Sequence, residues 1–422
     1  MTIKVKCLGA AREVGRSSFQ VDCGEKILLD HGVKLGPYET QYPEIVKTHL
    51  DAVILSHAHL DHSGNIPHLF NYLQTLVFAT PPTFDLSKML WFDSMKIADK
   101  EGVPPQFTKA EIERTEKYSF PTRYKRRLNI TDNVSFEFFN AGHIVGAAFT
   151  KLYMQNKALL YTGDFKDEEQ RLVRGADLNV GEVDYVITES CYGDRDHVSR
   201  KDSEKLLAEE IDDTVANGGW ALLPAFAIGR SQELLEIIYD YKLDYPVYFD
   251  GMGRKAARIM LDHPDYLKDV GHLKKSLENA NWIRSYKDRK LAMKKPGIIV
   301  TTAGMLTGGP IFEYLKHTWD DKKSRIFLTG YQVKETPGRV LYDKGVIPVD
   351  GTMQKVKCGV SKFDFSAHVG RSGLFKAIGK WNPEKVMVVH GDSAIEDAFA
   401  EDLRVEGFEV IVPSNGDTID FL

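Results

Sequence analysis

Between residues 56 and 62 the chain reads Ser56-His57-Ala58-His59-Leu60-Asp61-His62, three imidazoles and a carboxylate within six residues. The segment follows directly on the apolar run 52–55. His57 and His59 are two apart, so an extended chain projects both to one side. Asp61 and His62 follow where the chain turns toward a helix. Loops that leave the C-terminal end of a strand often carry functional ligands. Imidazole and carboxylate are donors that Zn2+ takes in catalytic sites. The plainer alternative is a solvated histidine-rich loop, but these side chains are costly to hold together without a partner.

More distant residues supply matching donors. They are His143 in Asn140-Ala141-Gly142-His143, Asp164 in Tyr161-Thr162-Gly163-Asp164, and His390 in Val388-Val389-His390-Gly391-Asp392. Each lies at or just beyond the end of an expected strand. Taken singly, each reads more readily as a cap or turn residue. With the histidine cluster they provide enough donors for two metals, and a carboxylate such as Asp164 can bridge two ions. Two-metal sites, with ions roughly 3.5–4 Å apart, suit phosphodiester cleavage because they activate water and stabilise both entering and leaving oxygens.

The elements that must position these residues are short. Strands are expected at 4–8, 18–21, 26–30, 52–55, 134–139, 149–154 and 158–162, each apolar or β-branched and bounded by Gly, Asp or Asn. Helices are expected at 65–76 and 86–98. Beyond Gly193 the pattern alternates: helix 203–217, strand 220–223, helix 231–241, strand 247–250, strand 298–301, helix 311–317 and strand 325–329. Such alternation implies a parallel α/β sheet. The tail repeats it with helix 371–380, strand 385–389, helix 395–406 and a last strand at 409–412. No Gly/Ser linker separates these blocks, which favours packed domains.

Composition sets the outer limits. The 422 residues are 43% hydrophobic and 27% charged, with a net charge of −5. That excludes a strongly basic nucleic-acid binder of the histone type and leaves room for a local basic groove. No apolar run approaches the length of a membrane span. The N-terminus starts like a strand and lacks a signal-peptide core. Cys7, Cys23, Cys191 and Cys358 show no CxxC spacing, so neither a disulfide framework nor a zinc knuckle is expected. The expected setting is reducing and cytoplasmic.

With His143 and Asp164 at matching distance, the histidine motif resembles the metallo-β-lactamase superfamily, an αββα sandwich with a two-metal site at one edge. Asp30, in Leu28-Leu29-Asp30-His31-Gly32, matches its first motif, where the aspartate orients a ligand without binding metal. Ile187-Thr188-Glu189-Ser190-Cys191-Tyr192-Gly193 resembles motif A of the β-CASP nucleases, Phe365-Ser366-Ala367-His368 motif B, and Val389-His390-Gly391 motif C. The stretches 224–233 and 302–310 also resemble β-CASP segments. The resemblance covers nearly the whole chain and is nearest the short archaeal relatives of the cleavage and polyadenylation specificity factor nuclease. Their longer cousins carry N-terminal KH domains, which are not expected here. The implied fold is α/β, a metallo-β-lactamase sandwich of residues 1–192 and 344–422 with a parallel β-CASP domain inserted at 193–343.

The resemblance also implies roles. One zinc would be held by His57, His59, His143 and Asp164, the other by Asp61, His62, Asp164 and His390. The carboxylates also suit Mn2+. His368 would protonate the leaving oxygen, with Glu189 orienting its imidazole. In the β-CASP block, Gly229-Arg230-Ser231 opens a helix and offers N–H groups, a hydroxyl and a guanidinium to phosphate. Gly308 and Gly309 sit in a second glycine-rich loop before a helix, and both loops could equally be plain tight turns. In exonucleolytic relatives a pocket for the 5′ monophosphate sets the distance to the metals, and Ser231 is the candidate member here. Two basic clusters, Arg123, Lys125, Arg126 and Arg127, and Lys287, Arg289, Lys290, Lys294 and Lys295, are where a groove for single-stranded RNA is to be sought, although such runs are usually solvated faces.

The implied activity is 5′→3′ exoribonuclease in RNA processing or decay. The alternative is an endoribonuclease of mRNA 3′-end processing or transcription termination. A homodimer is expected from the resemblance, as are partners in an RNA-processing complex. Thioester or lactam hydrolysis is disfavoured by the segments between 189 and 390, DNA cleavage by the presence of His390, and a silent scaffold role by the complete ligand set.

Overall fold

The computed structural model describes residues 2–36, 39–349 and 351–421. It divides into two compact units, Met1–Asp196 with Ala367–Leu422, and His197–Ser366.

The first unit contains two seven-stranded sheets. In one, Lys4–Gly9, Ser18–Asp22 and Lys26–Leu29 pair antiparallel, then Ala52–Ile54, Leu76–Ala79 and Ser119–Pro121 continue in parallel. In the other, Leu128–Asn129, Val134–Asn140, Ala148–Met154 and Lys157–Tyr161 are antiparallel neighbours. Tyr185–Glu189, Lys385–Val389 and Glu409–Ile411 extend that sheet in parallel. The period-2 pattern turns Val5, Cys7, Phe19, Val21, Ile27 and Leu29 inward, where they share one core with Phe136, Phe138, Leu152, Leu159, Tyr185 and Met387 of the facing sheet. Truncating Phe19 or Phe136 to alanine would cost about 3–5 kcal/mol.

The opposite face of the first sheet, Leu28, Val53, Leu55 and Val77, is covered through Phe84 and Trp91 of the helix Pro81–Glu101. That helix begins at Pro81-Pro82, suited to the first helical positions, and ends at Gly102 with φ +70°. On the second sheet, Trp381 of the helix Arg371–Trp381 packs on Phe149 and Phe165. The layers are thus helix, sheet, sheet and helix, the metallo-β-lactamase arrangement.

The second unit is built on six parallel strands in the order Asn281–Trp282, Val247–Phe249, Ile298–Thr301, Ala221–Pro224, Arg325–Leu328 and Gly359–Lys362. The central strands Ala221–Pro224 and Ile298–Thr301 are wholly buried, as continuous apolar runs in a sheet covered on both faces must be. Leu222, Ile299 and Ile326 pack against Ile311, Tyr314, Leu315 and Leu341 of flanking helices.

Three expectations change. The helix expected over 65–76 is only the single turn Ile66–Leu69, and Leu76–Ala79 is a strand between two parallel neighbours. A short apolar run carries no period that separates helix from buried strand. The last strand is not 409–412, because Thr418–Asp420 follows and pairs with Lys4–Lys6. Residues 344–366 stay with the second unit: Gly359–Lys362 pairs in parallel with Arg325–Leu328, and the chain returns to the first unit at Ala367.

Candidate metal centre

Every donor expected for metal lies just beyond a strand of the first unit or in the short helix that follows one. Ala52–Ile54 runs between two parallel strands with all three residues buried, and it delivers Ser56 and His57 at its C-terminal end. One helical turn, Leu60–Ser63, then presents Asp61 and His62. His143 follows Val134–Asn140, Asp164 follows Lys157–Tyr161, Glu189 ends Tyr185–Glu189, and His390 follows Lys385–Val389. The backbone turns sharply at these ends. Asp30 and His390 take φ values of +57° and +52°, and Gly142 and Gly163 take +69° and +51°. Side chains tolerate that region poorly, and such residues cluster at functional sites. At Gly163 a Cβ would also meet Ser56 Oγ at 2.7 Å.

The donors form two groups. His57, His59, His143 and Asp164 make one, and Asp61, His62, Asp164 and His390 the other, with the donor atoms of each within 4.8 Å of one another. Asp164 belongs to both and turns one oxygen to each. Its Oδ2 lies 3.5 Å from His57 Nε2 and 3.7 Å from His143 Nε2. Its Oδ1 lies 3.3 Å from His62 Nε2 and 3.6 Å from His390 Nδ1. Asp61 Oδ2 is 3.7 Å from His390 Nε2.

The chemistry of these groups fits bound cations. His57 Nε2, Asp164 Oδ1 and His390 Nε2 are buried and have no hydrogen-bond partner among the described residues. Buried polar atoms left so are costly unless a ligand satisfies them. Burial, then the charge of neighbouring imidazoles, holds His57 and His143 well below the ordinary histidine range. Burial also lowers His59 and His390. These rings therefore stay neutral and keep lone pairs to donate. Burial would raise Asp164, but His62, His390 and His368 outweigh it and hold the carboxylate well below its usual range. His62 is likewise depressed by burial and raised further by Asp164 and Asp30, so it ends well above the usual value.

Asp30 stands behind this layer. It is fully buried, and its Oδ1 accepts Ser56 N–H at 2.7 Å. Its Oδ2 accepts Ser56 Oγ at 2.7 Å, His62 Nδ1 at 2.6 Å and Tyr161 Oη at 2.7 Å. Ser17 Oγ lies 2.8 Å from His390 Nδ1, and the Ala367 carbonyl lies 2.9 Å from His143 Nδ1. Ser17, Ser56, Tyr161 and Ala367 were not singled out by sequence. A lone hydroxyl or carbonyl carries no spacing signal, and only the strand register brings these groups here.

His368 sits beside the first group, with Nε2 3.9 Å from Asp164 Oδ2 and Nδ1 2.8 Å from Glu189 Oε2. Glu189 is fixed in turn by Phe165 N–H on its Oε1 at 2.7 Å. Burial would lower the imidazole, but Glu189 and then Asp164 overcome it and raise it to about 9.

The phosphate-binding residues expected in the second unit separate into two kinds. Gly229 N–H donates to Gln232 Oε1 at 2.9 Å, Ser231 N–H to the Phe226 carbonyl at 3.2 Å and Ser231 Oγ to the Ala227 carbonyl at 3.2 Å. Ser231 is wholly buried. Arg230 is buried, bonded to Glu233 and stacked over Phe365, and the half-buried Arg200 also pairs with Glu233 and stacks over Phe365. At the helix start expected at 229–231, the Gly229 and Ser231 N–H groups, the Ser231 hydroxyl and the Arg230 guanidinium are therefore already partnered within the second unit. At 308–309 a Cβ on Gly308 would meet nothing within 4 Å, while Gly309 turns at φ +82°. The basic clusters are partly spent. Lys125 pairs with Asp177, Arg127 stacks on Tyr153, and Arg289 pairs with buried Asp250.

Comparison with known proteins places this geometry. Residues 19–190 match a metallo-β-lactamase superfamily domain, 231–341 a β-CASP domain, and 353–413 a Zn-dependent metallo-hydrolase RNA specificity domain. The chain is 39% identical to the "Probable RNase MJ4" of Methanocaldococcus jannaschii over 97% of this chain and 98% of that protein. It is 34% identical to RNase aCSPSF2 of Saccharolobus solfataricus over 99% of this chain and 85% of that protein. It is also 34% identical to the transcription termination factor FttA of M. jannaschii, over 99% of this chain and 71% of that one. A crystal structure of an Enterococcus faecalis protein of unknown function shares the fold, with a TM-score of 0.65 at 15% identity and full coverage of both chains. Among the described residues no helix is long and apolar enough to cross a membrane. The chain belongs to the β-CASP ribonucleases of the metallo-β-lactamase superfamily and is a metal-dependent hydrolase.

Proposed function

We propose that the protein holds two Zn2+ ions and hydrolyses RNA phosphodiester bonds with them, trimming single strands from the 5′ end. The observation that carries the reading is Asp164, which offers one oxygen to each four-donor group while His368, backed by Glu189, stands beside it. His57, His59, His143 and Asp164 would hold one ion, and Asp61, His62, Asp164 and His390 the other. When bound, zinc supplies Lewis acidity and lowers the pKa of water from 15.7 toward about 7. Asp30 keeps the His62 proton on Nδ1, so that Nε2 faces the metal. His368 gives a proton from Nε2 to the leaving oxygen, while Glu189 holds its Nδ1–H and fixes the ring. Mn2+ is the second cation the carboxylates suit.

The 5′→3′ direction rests on the resemblance to short archaeal nucleases. The near end-to-end match to RNase MJ4 and the 35% match to an RNase J-like protein of M. jannaschii support a ribonuclease and name no direction. The closed helix start at 229–231 favours the second reading, internal cleavage, because it leaves Arg230 and Ser231 committed elsewhere. Gly308 and Gly309 then become the stronger phosphate-binding candidates. The test is an RNA of about 30 nucleotides labelled at the 5′ end in one sample and the 3′ end in another, with 5′ monophosphate or triphosphate. Immediate release of the 5′ mononucleotide with gradual shortening of the 3′-labelled strand supports the exonuclease. Discrete internal fragments indifferent to the 5′ end overturn it in favour of the endonuclease.

A further inference from the structure

Next to the two zinc groups lies a third set of metal-binding side chains. One donor atom each from Glu189, Cys191 and His368 lies within 4.8 Å of the other two. Cys191 is a free thiol at partial exposure, its Sγ 3.1 Å from the His390 carbonyl. The His368 side chain is 24% exposed, so an ion can reach the set from solvent, while Glu189 is buried. Zinc takes thiolate, imidazole and carboxylate at about 2.0–2.3 Å, which sets tetrahedral donors roughly 3.5 Å apart. To reach that spacing the donor atoms would draw together by at most about 1.3 Å. The bland reading of Cys191, a small side chain donating to a carbonyl, does not use the imidazole and carboxylate gathered around it.

We propose that Glu189, Cys191 and His368 form an inhibitory cation site, in which a further thiophilic divalent ion binds and withdraws His368 from proton transfer. The proposal rests on the role given to His368 above. On binding, the Cys191 S–H and the His368 Nδ1–H bonds break and both protons leave to solvent; the ring keeps its Nε2–H only as a neutral, cation-bound imidazole, a much weaker acid than the imidazolium that serves the leaving oxygen. Sulfur, nitrogen and a Glu189 oxygen each give an electron pair to the ion. The two zinc groups contain no sulfur, so soft cations are drawn to the third site in preference. The ribonuclease is then active with its two ions and silenced when free zinc or cadmium rises further.

The absence of sulfur from the zinc groups also makes the site visible. Cys7 and Cys23 lie in the sandwich core and Cys358 in the core of the second unit, so thiolate ligation of an added ion reports on Cys191. The zinc-loaded full chain, freed of excess metal, is titrated with Co2+ while near-ultraviolet absorbance and RNA cleavage are followed in parallel. The expected result is a sulfur-to-cobalt charge-transfer band that saturates at one added equivalent, with cleavage falling about tenfold. In Cys191→Ser the band disappears, and half-inhibition needs at least about tenfold more cation. Alkylating the partly exposed thiol of the folded wild-type chain should abolish the band without any substitution. No band in the wild type, or a band that survives in Cys191→Ser, overturns the site. A band with undiminished cleavage upholds the site and overturns the proton-donor role of His368, so the two failures are distinct.

Discussion

Replacing Asp30 with asparagine tests whether the metal centre is held by its supporting layer. The residue has φ +57°, which asparagine tolerates, so the exchange removes charge and one acceptor with little backbone strain. Four donors converge on the two carboxylate oxygens: Ser56 N–H on one, and Ser56 Oγ, His62 Nδ1 and Tyr161 Oη on the other. An asparagine has one acceptor oxygen. Turned toward the three, its NH2 opposes the Ser56 N–H, which cannot rotate away. Turned the other way, the NH2 faces His62, whose ring must move its proton to Nε2 and lose the lone pair with which it would hold a metal. The hydroxyls can rotate to accept, but the backbone amide and the ring cannot both be satisfied.

An orphaned buried donor costs about 1–3 kcal/mol and a lost charge-assisted bond about 1.5–3 kcal/mol. Asp30→Asn should therefore destabilise the protein by about 3–5 kcal/mol. Partners behind metal ligands are typically worth about 10–100-fold in metal affinity, or roughly 1.4–2.7 kcal/mol. Competition for zinc against a chromophoric chelator, with denaturant unfolding of the metal-free chain, separates the two effects. An Asp30→Asn protein that binds zinc as tightly as wild type, while folded, would refute the role given to Asp30.

Four further outcomes follow from the same geometry. Asp164→Ala should remove cleavage and lower the metal content measured by elemental analysis, and full activity in pure protein would overturn the two-metal reading. His368→Ala should retain its metal and slow the chemical step by about 10²–10⁴-fold, as read in single-turnover cleavage; loss of metal instead would assign His368 a ligand role. Because Glu189 and Asp164 raise His368 to about 9 against its burial, the proton is held through neutrality. Its contribution to stability is fully present below the ordinary value of about 6.5 and is lost as pH rises through about 9, where the alkaline limb of cleavage should also fall. Glu189→Gln should move that limb to lower pH, and an unmoved profile would separate it from His368. Gly32→Ala should cost several-fold in metal binding, because its Cβ would lie 1.8 Å from the Asp61 carbonyl oxygen and must push the ligand loop aside; chelator competition would show no change if the loop simply gives way.

The two donor groups were legible because His57, His59, Asp61 and His62 fall within one short segment at a strand end, and few structural uses need that combination. His143, Asp164 and His390 could be added because each also follows a strand whose apolar run is plain in the sequence. The layer behind them was not legible beyond Asp30. Ser17 reaches His390 across 373 positions of chain, and Tyr161 reaches Asp30 across 131, so nothing local marks either pair. The strand Leu76–Ala79 was hidden for a different reason. A parallel strand with a covered interior loses the alternation that identifies a strand, and its first residue, Leu76, read as the end of a helix.

The helix start at 229–231 shows how residue types alone leave two readings open in the second unit. Glycine, arginine and serine at a helix N-terminus are what a phosphate site requires, but they are also what a helix needs to cap itself. The deciding residues lie three positions further on. Gln232 turns back to the Gly229 N–H, and Glu233 claims the Arg230 guanidinium. A buried guanidinium without its carboxylate would be an uncompensated charge, and releasing Arg230 to bind RNA would take from Glu233 a charged partner that it holds beside Arg200. The pair is therefore far more costly to open than an exposed arginine. If Arg230 does meet a 5′ phosphate, Glu233→Gln should strengthen the preference for monophosphorylated RNA by freeing the guanidinium. If the pair only braces the helix, Glu233→Gln should lower stability and leave that preference where it was, and a dual-label cleavage assay beside a denaturant melt reads the two outcomes apart.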